Sequence, residues 1–143
     1  MTRRKWVVCI SSKGVYSLSA MLYLAQQGNN LVQIKDIADG SRIPQNYLEQ
    51  LLVQLKKVGF VESIRGAKGG YKMAISPEKV TVLQILYAME SEGMNPEKYG
   101  LDSPAMDSFW EEMNKKIENL FAVPLQELVD RAARLSQASM YHI

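Results

Sequence analysis

Cysteine and histidine are almost absent from this sequence. Cys9 is the one cysteine in 143 residues, and His142 is the one histidine. A single thiol excludes a disulfide within the chain and a site built from several thiolates of one chain. With no Cys/His constellation, no metal-ligand spacing and no nucleophile motif, the chain is read as a non-enzyme without a cofactor. Long apolar runs are lacking too: none approaches the ~20 residues that a membrane span needs. The opening Arg3-Arg4-Lys5, then Trp6-Val7-Val8-Cys9-Ile10, has the order of an export signal. Its apolar part is too short, because a signal core needs roughly 7–15 residues. It is read as a basic arm, and the expected location is cytoplasmic.

What is present is an ordinary globular composition with an uneven charge distribution. The net charge is +2. Residues 1–72 hold 11 Lys/Arg against 4 Asp/Glu, a balance of +7, and residues 73–143 hold 6 against 11, a balance of −5. A basic first half paired with an acidic second half implies that the first half meets a polyanion.

The apolar spacing divides the chain into short elements. Val15, Leu18, Met21, Leu22 and Ala25 predict a helix over 12–27, capped by Ser11 or Ser12 and stopped by Gly28-Asn29-Asn30. Lys13 falls in its first turn, where an open helix start and an ammonium could hold a phosphate. Ile34 to Asp39 predicts a small helix, Gly40-Ser41-Arg42 a turn, and Pro44 the start of a longer helix. In that longer helix Tyr47, Leu48, Leu51, Leu52, Leu55 and Val58 recur at steps of three and four, and Gly59 supplies a left-handed cap. Gln45, Asn46, Glu49 and Gln50 lie on the other side. Two β-prone runs, 60–64 and 71–75, flank Arg65-Gly66-Ala67-Lys68-Gly69-Gly70 and predict a hairpin with a slim tip made cationic by Arg65, Lys68 and Lys72. Such a tip suits a narrow minor groove.

Thr81 and Gln84 have the spacing of a capping box for a helix over 81–90. A loop over 91–103 follows. Ser103-Pro104 then begins a long helix in which Met106, Trp110, Met113, Ile117 and Leu120 form a coiled-coil-like seam, widened by Phe109 and Phe121. Two apolar sides imply packing on the home domain and on a second copy, so Met106, Phe109, Trp110, Met113, Ile117 and Leu120 are the expected dimer interface. Pro124 breaks the helix, and Leu125, Leu128, Val129 and Ala132 predict a last short helix, followed by a tail over 136–143 without a pattern. The expected fold is mainly α with a small β-hairpin: a winged helix-turn-helix domain at 1–90, a loop at 91–103, and a long dimerisation helix with a short C-terminal helix at 104–143.

Four stretches carry a family resemblance: Ile10-Ser11-Ser12-Lys13-Gly14-Val15-Tyr16, Ile34-Lys35-Asp36-Ile37-Ala38, Tyr47-Leu48-Glu49-Gln50-Leu51 and Arg65-Gly66-Ala67-Lys68-Gly69-Gly70-Tyr71. In order and spacing they resemble the bacterial winged helix-turn-helix regulators of the IscR type. The resemblance implies a homodimeric transcriptional regulator, a repressor, on a partly palindromic double-stranded DNA operator. It places the helix from Pro44 in the major groove, with Gln45, Asn46, Tyr47, Glu49 and Gln50 as candidates for base and phosphate contacts. It has Arg65 lead the wing into the minor groove, with Gly66 letting the backbone approach, and sets Lys13 and Tyr16 at phosphates; Lys68 of the wing tip is a further expected DNA contact. Many such regulators carry three cysteines between the fourth and the long helix and bind an iron–sulfur cluster there. The loop 91–103 has none, so the resemblance is to the cluster-free branch, which includes regulators of cysteine metabolism. Input would come from a small-molecule or protein effector, or through Cys9. The alternative function is a protein-interaction module on the same scaffold, whose DNA binding depends on a partner protein or an effector.

Overall fold

A computed structural model of the protein describes residues 10–90 and 103–140. The basic arm, Cys9, most of the 91–103 loop and the final Tyr141-His142-Ile143 lie outside the described residues. The element order is α1 (Ser12–Gln26), α2 (Ile34–Ser41), α3 (Gln45–Lys57), β1 (Val61–Ile64), β2 (Gly70–Met73), α4 (Val82–Met89), α5 (Pro104–Phe121) and α6 (Leu125–Met140). This is a mainly helical, winged helix-turn-helix architecture.

The core sits where α1 meets α2, α3, α4 and the start of α6. Met21, Leu24, Ile37, Leu48, Leu51, Leu52, Leu55, Ile85 and Met89 are fully buried there. The four leucines of α3 follow the spacing read from the sequence and hold one side of that helix against the core. Val15 and Val58 depart from expectation: both are exposed. Val15 lies on the side of α1 opposite Gly14, Ser17, Ala20, Met21 and Leu24, and Val58 is the C-cap residue just past the last turn of α3.

Local signals were realised closely. Ser11 caps α1 by accepting from the Gly14 N–H, and Thr81 and Gln84 form the full capping box of α4. Ser103 caps α5, with Pro104 in its first turn. Gly59 adopts φ +83° just past α3, the left-handed geometry that closes a helix.

The turn between α2 and α3 differs from the expected one. Gly40 and Ser41 belong to the last turn of α2, and Arg42 takes the left-handed conformation with φ +58°. Gly40 serves close packing instead. A Cβ there would lie 2.1 Å from the Tyr23 ring, so the missing side chain lets α1 and α2 approach.

The C-terminal helix is longer than expected. It runs unbroken from Leu125 to Met140, 16 residues, through the stretch read as a patternless tail. Its first turn is part of the winged-helix core. Leu125 is fully buried in the main cluster, the Leu125 N–H donates to Val80 O at 2.8 Å, and the Val82 N–H donates to Val123 O at 2.8 Å. Leu125→Ala is therefore expected to cost about 2–5 kcal/mol, the range for emptying a buried leucine site. Urea unfolding monitored by circular dichroism measures it. A loss below about 1 kcal/mol would mean that α6 is not anchored in this core.

Candidate nucleic-acid interface

The turn α2–α3 and the hairpin present two exposed polar surfaces, both built on elements anchored in the core. On α3, burial of the four leucines forces Gln45, Asn46, Glu49 and Gln50 to the opposite, exposed side. The helix starts at Pro44, with no side-chain cap and no acidic residue in its first turn. Its first backbone N–H groups are thus open to an anionic acceptor, and its amide side chains can pair with base edges.

The N-terminus of α1 is built differently. Glu90 reaches it across 79 residues of sequence: its Oε1 accepts from the Ser11 N–H at 2.9 Å and from Ser11 Oγ at 2.8 Å. A carboxylate already sits where an anion would be favoured. The expectation of an open helix start at Lys13 is corrected on that point. The Lys13 side chain itself is half-buried and takes part in no ion pair among the described residues.

Tyr16 and Tyr47 are brought together. Their rings meet edge to face with centroids 5.4 Å apart, a favourable aromatic arrangement. Both are half-buried and pack on the main core. The pair thus joins α1 to the start of α3 and fixes where the exposed side of α3 points.

The wing is a two-stranded antiparallel hairpin with Val61 opposite Met73, Glu62 opposite Lys72, Ser63 opposite Tyr71 and Ile64 opposite Gly70. An isolated bridge extends it: the Val32 N–H donates to Tyr71 O and the Tyr71 N–H to Val32 O, each at 2.8 Å. Lys56 Nζ donates to Ser63 Oγ at 2.6 Å, tying α3 to β1. At the tip Arg65, Gly66 and Lys68 are exposed, and the Gly69 N–H closes the turn onto Gly66 O at 3.0 Å. Gly66 has φ +119°, a conformation other residues rarely adopt. Lys72 was expected to add charge to this tip, but its Nζ lies 3.2 Å from Glu62 Oε1 across the ladder. Opposite charges at facing positions pair, so the free cations of the wing, among the described residues, are Arg65 and Lys68.

The exposed side of α3 extends further than was read from the sequence. Val53, Lys56 and Lys57 continue it beyond Gln50. The signal was available in the same three-and-four spacing, one turn past the amide side chains.

On α5 two sides separate. Ile117 and Phe121 pack against Val82 and Leu86 of α4, and Asn114 is fully buried. Tyr87 Oη and Asn114 Nδ2 both donate to Glu118 Oε1 at 2.9 Å on this home side. Met106, Phe109 and Leu120 remain exposed, Phe109 at 45% and Leu120 at 74%. Trp110 and Met113 are half-buried, and the Trp110 ring meets that of Phe109 edge to face at 5.1 Å. Of the six residues expected at a dimer interface, Ile117 thus has a partner within its own chain, and Met106, Phe109 and Leu120 form the uncovered ridge. Among the described residues no helix is long and apolar enough to cross a membrane.

Known proteins share this layout. The family described as "Rrf2: Iron-dependent Transcriptional regulator" matches residues 10–131. The HTH-type transcriptional regulator CymR of Bacillus subtilis is 32% identical over 136 residues, which cover 94% of this chain and 99% of CymR. The solved structure of CymR, described as the global cysteine regulator of B. subtilis, superposes with a TM-score of 0.74 at 31% identity, covering 87% of this chain and 98% of that one. The IscR structure from T. potens gives a TM-score of 0.74 at 35% identity over 87% of this chain and 88% of that one. The family description names iron, yet a cluster held by several thiolates of one chain does not fit here. Cys9 is the one cysteine, and residues 91–103 contain none.

Proposed function

The chain belongs to the Rrf2 family of transcriptional regulators, and from that premise we propose that it acts as a homodimeric, sequence-specific repressor without an iron–sulfur cluster. The uncapped start of α3, with its exposed Gln45, Asn46, Glu49 and Gln50, carries the reading. This end enters the major groove, where an amide pairs with adenine and a carboxylate accepts from cytosine. Arg65 at the wing tip enters the neighbouring minor groove, with Gly66 letting the backbone approach, and Lys68 beside it meets a phosphate at the rim of that groove. Lys13 and the Tyr16–Tyr47 pair stand at the phosphates that set the register. The ridge of Met106, Phe109 and Leu120, with Trp110 and Met113 beside it, packs on a second copy and places two such surfaces on one operator.

Selection of bound fragments from random duplex DNA by the purified chain tests this. The expected product is a partly palindromic site. Its affinity should fall with salt by roughly 0.9 in log K per neutralised phosphate in log salt. Enrichment of no sequence would reject the proposal.

A second reading is favoured by one observation, the likeness to CymR over 99% of that protein's length in a chain without cluster cysteines. In it, DNA binding is set by a partner protein or a small-molecule effector, and the genes controlled concern cysteine or other thiol metabolism. Selection by the purified chain alone would then fail, and selection with the effector or partner present would succeed.

A further inference from the structure

Beyond the amide and carboxylate side chains, the exposed side of α3 carries one apolar residue at its middle. We infer that Val53 is a specificity-determining residue that contacts the 5-methyl group of a thymine in each half-site. The inference rests on the DNA-binding reading above and adds a base contact to it.

The geometry is that of the helix itself. At about 100° per residue, the four buried leucines of α3 define an inward direction, and Val53 falls within about 30° of the opposite line. Gln50 flanks that line on the other side, and Asn46 and Lys57 lie close to it. Val53 is 54% exposed although the helix it belongs to buries Leu48, Leu51, Leu52 and Leu55 in the core. No described residue covers it as the core covers Leu48, Leu51, Leu52 and Leu55. Its neighbours on the exposed side are Glu49, Gln50, Lys56 and Lys57, all polar.

A β-branched residue is a poor choice for a solvated helix surface. It forms helix less readily than Ala, Lys or Glu and contributes no charge. What it offers is a stiff apolar knob, with χ1 already restricted to one favoured rotamer, so covering it costs little entropy. In the major groove one group is apolar on a base edge, the thymine methyl, and an apolar side chain is the complement that recognises it. Val53 lies one turn beyond Glu49 and Gln50, so its thymine is expected beside the bases those two residues read.

The test uses the selected operator and the full chain. Each thymine in one half-site is replaced singly by deoxyuridine, which removes the methyl and keeps the pairing edge. Affinities of the wild-type chain and of Val53→Ala are measured at one salt concentration by fluorescence anisotropy. Alanine suits an exposed helix position, so the variant folds; circular dichroism checks it. At one thymine the wild-type chain should lose about fourfold, the size of one methyl group's burial. Val53→Ala should bind the natural operator about fourfold more weakly and show no further loss at that thymine. Such non-additivity marks direct contact. If every deoxyuridine substitution affects both chains equally, Val53 reads no methyl, and the inference is overturned while the DNA-binding reading stands. If the wild-type chain enriches no operator, either alone or with an effector or partner protein, both fall.

Discussion

A chain carrying Phe109→Asp together with Leu120→Asp is expected to run as a monomer on sizing chromatography and to keep its helical circular dichroism. Both side chains are exposed in the single chain, so the substitutions leave the intramolecular core intact. Placed in an interface between copies, each would bury an unpaired carboxylate, which is strongly unfavourable. The effect on function should be larger than on mass. One protomer grips one half-site, and linking two half-sites raises affinity by roughly 10²- to 10⁴-fold. The double variant should lose on that order for a two-half-site operator and little for an isolated half-site. An unchanged dimer mass would show that the ridge on α5 is not the interface. Substituting Ile117 would not serve this purpose, because it packs on Val82 and Leu86 and its removal would destabilise the home domain.

Arg65→Ala is expected to weaken operator binding by about 1–3 kcal/mol, the range for removing one side chain that reads a base or groove. The effect should depend on sequence. A guanidinium in the minor groove gains most where an A·T-rich stretch narrows it and deepens its negative potential. Exchanging that stretch for G·C pairs should therefore weaken the wild-type chain and leave Arg65→Ala nearly unaffected. Lys68→Ala provides the contrast: taking an ammonium away from a phosphate weakens binding to all duplexes alike and makes the salt slope shallower by about one. Lys72→Ala should change little, because Glu62 already neutralises that ammonium. Equal effects of Arg65→Ala on both operators would place the wing outside the groove.

The elements that were legible in the sequence are those fixed by near neighbours. Leu48, Leu51, Leu52 and Leu55 repeat at helical spacing, and their burial leaves Gln45, Asn46, Glu49 and Gln50 exposed whatever α3 packs on. Thr81 and Gln84 cap α4 through bonds that span three residues. Gly66 sits where a tight turn needs positive φ. What stayed hidden depends on distant partners. Gly40 has the look of a turn residue because glycine usually breaks helices, and its role becomes visible only with the Tyr23 ring beside it. Lys72 counts as a free cation until the strand register sets Glu62 opposite. Glu90 closes α1 from 79 positions away. The second half of α6 is hidden for another reason. Ala132, Leu135 and Ala138 continue the spacing of Leu125 and Leu128, but mostly with small residues, and Arg134, Ser136, Gln137 and Ser139 between them make the stripe too thin to announce a helix.

The central claim is that two copies of this scaffold grip one duplex with matched α3 and wing surfaces. Hydroxyl-radical footprinting of the selected operator tests it most directly. The expected result is two protected segments related by two-fold symmetry, on one side of the duplex and about 10 base pairs or a multiple of that apart. A single unsymmetrical footprint, or uniform weak protection along the fragment, would contradict it.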